Sequence, residues 1–277
     1  MSTISLTASM RSNLLSLQNT QSLMDLTQER LSTGKKVNSA IDNPSSYYTA
    51  QSLSNRASDL SALLDSMGQA IQTIKAADEG IEAITNFAQQ AKAVAQSAAD
   101  SSDATERAAY LDQFNEILKQ IDAVAEDSSY KGINLLGGET NKLTVKFSEK
   151  ENSKLVIDGV NAKTSGDGSL GIAAATAWGA DATGNTNIAT AIGQVEAAIT
   201  KLRNWSSEFG NNYSIVQSRE EFTENLINVL TEGADKLTLA DMNEESANML
   251  ALQTRQQLAI NSLSLASQAS QSVLKLF

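Results

Sequence analysis

The sequence predicts a mainly α fold: a long antiparallel coiled-coil helix bundle with paired terminal helices and a small β-hairpin insert. Three observations carry that expectation. Apolar residues recur at alternating steps of four and three along most of the chain, a single proline (Pro44) interrupts 277 residues, and period-two alternation occurs in one short stretch. Aromatics make up only 5% of the chain while Ala, Ser, Gln and Asn are abundant, so thin, elongated packing is expected rather than a thick core.

The first helix follows from Met10, Leu14, Leu17, Gln21, Met24, Gln28 and Leu31, a heptad seam interrupted by glutamines. Gly34 can stop it, and Asn43 with Pro44 can cap and open the next helix, leaving a linker of about ten residues between them. A second seam runs through Leu53, Ala57, Leu60, Leu64, Met67, Ile71 and Ile74. It continues, after one slip of three residues, through Ala77, Ile81, Ile84, Ala88, Ala91, Ala95 and Ala98. About fifty residues of helix would run roughly 75 Å, and the alanine half of that seam calls for a closely approaching partner.

Asp103 and Glu106 have capping-box spacing and open a third helix, whose seam is Arg107, Leu111, Phe114, Leu118, Ile121 and Ala125. Leu143, Val145 and Phe147 then alternate with polar residues, and Leu155-Val156-Ile157 follows a polar turn, giving one hairpin or a hairpin with a third short strand. Residues 159–187, rich in Gly, Ala, Asn, Asp, Ser and Thr and without a period, read as a surface loop. A seam from Ile188 through Val195, Leu202, Phe209 and Val216 to Leu230 predicts a helix of about forty-five residues. Asp241 with Glu244 caps a final helix with the seam Met249, Leu252, Gln256, Ala259, Leu263, Ala266, Ser270, Val273 and Phe277.

The plan is nearly palindromic, which predicts three parts: residues 1–44 with 236–277 as a terminal helix pair, 45–138 with 188–235 as a long-helix bundle, and 139–187 as hairpin and surface loop. Glutamine-interrupted terminal seams bury too little to offset roughly 1–2 kcal/mol of backbone entropy per residue. Both ends are therefore expected to be disordered in the monomer and to fold on assembly.

With no Cys and no His, the chain has no thiol nucleophile, no imidazole base, no zinc site of the usual ligands and no Ser-His-Asp triad. Neither enzymatic activity nor a cofactor or metal is expected. A net charge of −11 disfavours nucleic acid and anionic lipid as partners, and no apolar run is long enough for membrane insertion. The start, Met1-Ser2-Thr3-Ile4-Ser5-Leu6, has neither a basic segment nor an apolar run, so the ordinary secretory route is not expected. Absence of cysteine fits a reducing interior and equally a chain exported unfolded through a narrow conduit.

Local motifs resolve into structure. Ser32-Thr33-Gly34-Lys35 fits S-x-x-K but lacks the companion S-D-N and K-T-G elements, and reads as a helix stop. Gly166-Asp167-Gly168-Ser169-Leu170-Gly171 fits G-x-G-x-x-G without the strand-turn-helix context that binds a pyrophosphate. Asn204-Trp205-Ser206 and Asn212-Tyr213-Ser214 fall inside a helix, and the acidic pairs Asp78-Glu79, Glu126-Asp127 and Glu220-Glu221 lie on helices without a cleft.

The run from Leu31 to Pro44, with Ser32-Thr33-Gly34-Lys35-Lys36-Val37-Asn38-Ser39-Ala40-Ile41-Asp42-Asn43 between them, resembles the spoke segment of bacterial flagellins. Ala77-Asp78-Glu79-Gly80, Tyr130-Lys131-Gly132-Ile133-Asn134-Leu135-Leu136-Gly137 and the end from Asp241 through Asn248-Met249 to Val273-Leu274-Lys275-Leu276-Phe277 agree in order and spacing. The resemblance covers roughly residues 1–138 and 188–277, and the short middle with its Leu276-Phe277 end is similar to alphaproteobacterial flagellins.

What the resemblance implies is a structural subunit that polymerises into the flagellar filament, exported unfolded by the flagellar type III apparatus. Inner and outer tubes would be built from the terminal and long helices. Implied partners are the chain itself, an export chaperone, and cap and hook-junction proteins, with the extracellular filament as its place. Met10, Leu14, Leu17, Met24, Leu31, Met249, Leu252, Ala259, Leu263, Ala266, Val273 and Phe277 are the expected polymerisation seam. The segment Phe87-Ala88-Gln89-Gln90-Ala91-Lys92-Ala93-Val94-Ala95-Gln96-Ser97 lacks the Arg- and Leu-bearing stretch typical of flagellins seen by the vertebrate innate receptor, so receptor activation is not expected. The rival readings are a hook-filament junction protein and a flagellin-like adhesin or carbohydrate-binding protein using residues 159–187.

Overall fold

A computed structural model describes residues 8–274. Along them run α1 (Ala8–Thr33), α2 (Pro44–Asp100), α3 (Ala104–Asp127), β1 (Lys142–Lys146), β2 (Lys154–Asp158), α4 (Ala182–Thr238) and α5 (Met242–Leu274). The mainly helical class and the hairpin are as expected. The chain forms two compact units, one made of the described residues up to Arg56 and from Val229 onward, the other of Ala57–Asn228.

Helix boundaries follow local chemistry. Gly34 takes a left-handed φ of +70° and its N–H bonds Arg30 O at 2.8 Å, which ends α1. Asn43 Oδ1 accepts from Ser46 N at 3.1 Å just as Pro44 opens α2. Asp103 Oδ1 accepts from Thr105 N at 2.7 Å and caps α3, but Glu106 does not reach back to the cap. It accepts instead from Ser101 Oγ at 2.7 Å, and that same hydroxyl accepts from Asp103 N. Asp241 Oδ1 accepts from Asn243 N at 2.9 Å and from Glu244 N at 3.3 Å as α5 begins.

The unit Ala57–Asn228 holds one core. Its α2 seam is buried throughout, from Met67 through Ile74, Ala77, Ile81 and Ile84 to Ala88, Ala91, Ala95 and Ala98, across the three-residue slip and without a break in the helix. Phe114, Leu118, Ile121 and Ala125 of α3 and Ile188, Val195, Leu202, Phe209 and Val216 of α4 complete it. The hairpin is two-stranded and antiparallel, Lys142 opposite Asp158 and Val145 opposite Leu155. In place of a third strand there is a single bridge between Gly137 and Asn161.

Residues 159–181 lack regular structure, but they do not lie loosely on the surface. Ala162, Leu170, Ile172 and Trp178 are core residues, and Trp178 packs on Phe114 with ring centroids 5.2 Å apart. The segment is a strap laid along α3. Lys163 Nζ bonds Glu126 at 2.7 Å, Thr164 N bonds Asp122 Oδ1 at 2.7 Å, and the Asn115 amide both donates to Ala175 O and accepts from Ala175 N. Backbone polar groups without strand partners must be satisfied somewhere, and side chains of α3 do it here together with Asn187, Gln194 and Lys201 of α4. The expected helix start at Ile188 moves back to Ala182, because Asp181 Oδ1 accepts from Gly184 N at 2.8 Å and fixes the first turn there.

Candidate assembly surface

The segments that flank α1 and α5 meet. After Gly34 the backbone pairs with the segment linking α4 to α5: Lys36 N and Val37 N donate to Thr238 O at 2.7 and 3.3 Å, and Ala240 N donates to Gly34 O at 3.0 Å. Val37 is buried beside that crossing. Asp42 closes the linker on itself, accepting from Asn38 N and Ser39 N at 2.9 Å each. Those two N–H donors, Ser39 foremost, hold its carboxyl below the usual aspartate range.

Beyond the linkers α1 and α5 pack as an antiparallel pair. Arg30 Nη1 meets Glu245 Oε1 at 2.9 Å, and Gln256 Nε2 donates to Gln21 Oε1 at 2.7 Å. On α5 the expected seam faces inward: Leu252 is buried and Met249, Gln256, Ala259, Leu263 and Ala266 are half-buried. The side chain of Val273, and Phe277 altogether, lie outside the described residues.

On α1 two of the seven seam positions turn outward. Met10 is buried and Leu17, Met24 and Leu31 are half-buried, but Leu14 is 37% exposed and Gln28 is exposed. Asn13, Thr20 and Thr27 take the intervening places, Thr20 and Thr27 being only 3% and 6% exposed. Thr20 can be buried because its hydroxyl donates to Ser16 O at 2.8 Å within the helix, leaving a methyl to pack.

A second apolar set lies off the heptad seam. Leu15, Leu23 and Leu26 on α1, and Leu250, Leu258 and Leu265 on α5, are exposed. At about 100° per residue each trio falls within about 80° of arc on the side of its helix away from the seam. The signal in the sequence is leucines outside the heptad positions, three on α1 and four on α5 counting Leu274, which a search for the dominant period passes over.

The other motifs take structural places. Ser32 sits in the last turn of α1, and Lys35 lies in the backbone bridge to Leu239. The Gly166–Gly171 run is a turn of the strap, and no helix opens until Ala182. Asn204 and Asn212 are within α4. Glu126 is ion-paired with Lys163, and Asp78 accepts from Ser206 Oγ at 2.9 Å. A cavity of about 400 Å³ is lined by Ile74, Lys75, Asp78, Glu79, Phe209, Gly210 and Tyr213, and the Lys75 ammonium lies 5.6 Å from the Tyr213 ring centre. Among the described residues no group of three or more Asp or Glu is placed to hold a metal, and no helix is long and apolar enough to cross a membrane.

Helices that pair through a thin seam and leave a leucine stripe uncovered on each define a class: a helical structural protein with apolar surface left for contact with other chains. The family model for the bacterial flagellin N-terminal helical region matches residues 2–141, and that for the flagellin C-terminal helical region matches residues 192–277. Flagellin FljM of Caulobacter vibrioides is 31% identical over 268 residues, covering 95% of each chain, and a flagellin of Brucella melitensis is 30% identical over 269 residues, with 95% of each covered. A crystal structure of Bacillus cereus flagellin aligns with 57% of this chain and 88% of its own at 15% identity, with a TM-score of 0.47. The chain belongs to the bacterial flagellin family, and it is a subunit of the flagellar filament.

Proposed function

We propose that the α1–α5 pair is the polymerising part of this subunit and that it becomes ordered as the subunit adds to the filament. The observation that carries this is the pair itself. Its seam is thin, with threonines and glutamines between the apolar positions, while six leucines stay uncovered on its outer sides. Burying the still exposed part of those leucines against neighbouring copies would contribute about 0.5–2 kcal/mol apiece, which the isolated pair lacks.

Met10, Leu14, Leu17, Met24, Leu31, Met249, Leu252, Ala259, Leu263, Ala266, Val273 and Phe277 form the seam region in this reading, with the outer leucines added to it. Residues 1–44 with 236–277 make the inner tube, 45–138 with 188–235 the outer tube, and 139–187 faces the medium. The partners are further copies of the chain, an export chaperone, and the cap and hook-junction proteins, in an extracellular filament reached by flagellar type III export.

Replacing Leu250, Leu258 and Leu265 together with Glu tests the central point. Purified variant seeded with filament fragments is expected to give no growth in electron micrographs while keeping the thermal transition of the Ala57–Asn228 unit. Filaments of ordinary length from that variant would overturn the reading.

A further inference from the structure

We propose that Gln21 with Gln256, and Arg30 with Glu245, are positioning residues that fix the register of α1 against α5. The inference rests on the reading of the terminal pair as the polymerising part and adds how its alignment is chosen.

The seams themselves choose poorly. Both repeat every seven residues, so sliding one helix by a heptad exchanges apolar layers for apolar layers. Leu17 lies four residues before Gln21 and Ala259 three after Gln256, so the two face each other in the observed register. A heptad slip would place Leu17 opposite Leu252 or Ala266, at little loss of apolar contact.

The polar layers do discriminate: the ion pair opposes a slip in either direction and the amide pair a slip in one. A slip in one direction sets Gln256 against Leu14, Gln21 against Met249 and Glu245 against Leu23, so both polar contacts are lost. In the other direction Gln256 meets Gln28 and an amide pair re-forms, which leaves the amides unable to exclude it. There Glu245 moves level with Val37 and loses Arg30. Glu245 is only 7% exposed, and a buried carboxylate without its cation is strongly unfavourable. The ion pair thus guards both directions and the amides reinforce one, adding along the helices to the backbone crossing of Lys36 and Val37 on Thr238 at their base. Their geometry fits alignment better than strength, since Arg30 Nε is buried without an acceptor.

The chain has no cysteine, so introduced pairs report register without background. Three full-length variants would be assembled into filaments and oxidised: Leu17→Cys with Ala259→Cys, with Leu252→Cys, and with Ala266→Cys. An internal disulfide is read as a faster-migrating monomer on a denaturing gel, apart from any ladder between copies. With the natural polar residues only the Ala259→Cys pair is expected to close.

With Gln21→Leu, Gln256→Leu, Arg30→Met and Glu245→Leu added, one or both slipped pairs are expected to close at least about tenfold more, while the temperature of filament dissociation holds or rises. Arg30→Met with Glu245→Leu alone is expected to open only the Ala266→Cys pair, the direction in which Gln256 finds Gln28. A single register in both backgrounds, or a lower dissociation temperature with register unchanged, would overturn the proposal. If the apolar variants do not assemble, the exchanged pair Arg30→Glu with Glu245→Arg decides: recovery of filaments and of the native disulfide supports alignment by these charges, and failure to recover refutes it. Filaments in which even the Ala259→Cys pair never closes would refute the terminal pair as the polymerising part, an outcome distinct from a slipped register, in which the other two pairs close.

Discussion

Gly80 sits in the middle of α2, where alanine ordinarily improves a helix by up to about 1 kcal/mol. A methyl group there would run into the Ser128 side chain and come within 2.7 Å of Leu136 Cδ1, both on the segment that turns back after α3. The sign should therefore reverse. Gly80→Ala is expected to lower stability by about 1–3 kcal/mol, read as a fall in the melting temperature by circular dichroism. Arg107 is a second such residue. It is 5% exposed, has no carboxylate partner, and donates to Ser101 O, Gly179 O and Asn185 Oδ1 at 2.6, 2.7 and 2.8 Å. It ties the end of α2 and the end of the strap to the start of α4. Arg107→Met keeps the bulk and leaves those acceptors unmatched, and about 3 kcal/mol should be lost in chemical denaturation.

Asp42 gives a pH dependence with a definite sign. Its carboxyl is held below its ordinary value by the Ser39 and Asn38 N–H groups, so its contribution to the linker is complete above the ordinary aspartate range. That contribution is lost as the pH falls below about 4. Protection of the Asn38 and Ser39 amides, taken as exchange relative to the intrinsic rate at each pH, should fall on acidification, and Asp42→Asn should abolish that fall; protection unchanged with pH would contradict the role assigned to this carboxyl.

At the level of elements, helix periodicity is legible in the sequence because long helices repeat one message many times. Every seam position of α2 from Ala57 to Ala98, apart from Leu64, is buried, and the three-residue slip at Ala77 leaves the helix continuous. Caps at Asn43, Asp103 and Asp241 are legible because a side-chain oxygen next to orphan N–H groups acts within three residues. The α1 seam is only partly legible because threonine counts as polar in a pattern search, whereas Thr20 and Thr27 are buried one residue before the expected Gln21 and Gln28. The strap is illegible for a related reason. Its structure comes from side chains of α3 and α4 reaching across, such as Asp122 to Thr164, Asn115 to Ala175 and Gln194 to Ala173, and contacts made between elements leave no local period. Of the candidate surface, the seam can be read from the sequence, while the outer leucines need the helices to be laid side by side.

On the scale of the whole molecule, the absence of cysteine, the single proline and the few aromatics describe a chain that stores little stability in any one place. A net charge of −11 keeps separate copies apart in dilute solution, so seeded growth should quicken as salt screens that repulsion. Turbidity across a salt series would show it, and growth slowed by moderate salt would argue that charge pairs between copies dominate.

The strap turn at Ser165-Gly166-Asp167-Gly168 is held at both stems. Thr164 is tied to Asp122, and Leu170 N bonds Lys163 O at 3.0 Å, so the stems are pinned a hydrogen bond apart while Ser165–Gly168 are exposed. Closing a longer excursion from such stems costs only about 0.6 kcal/mol for each doubling of its length. A foreign peptide spliced after Asp167 should leave the melting temperature of the Ala57–Asn228 unit nearly unchanged, which makes this four-residue turn a grafting point where every copy of the chain could carry cargo.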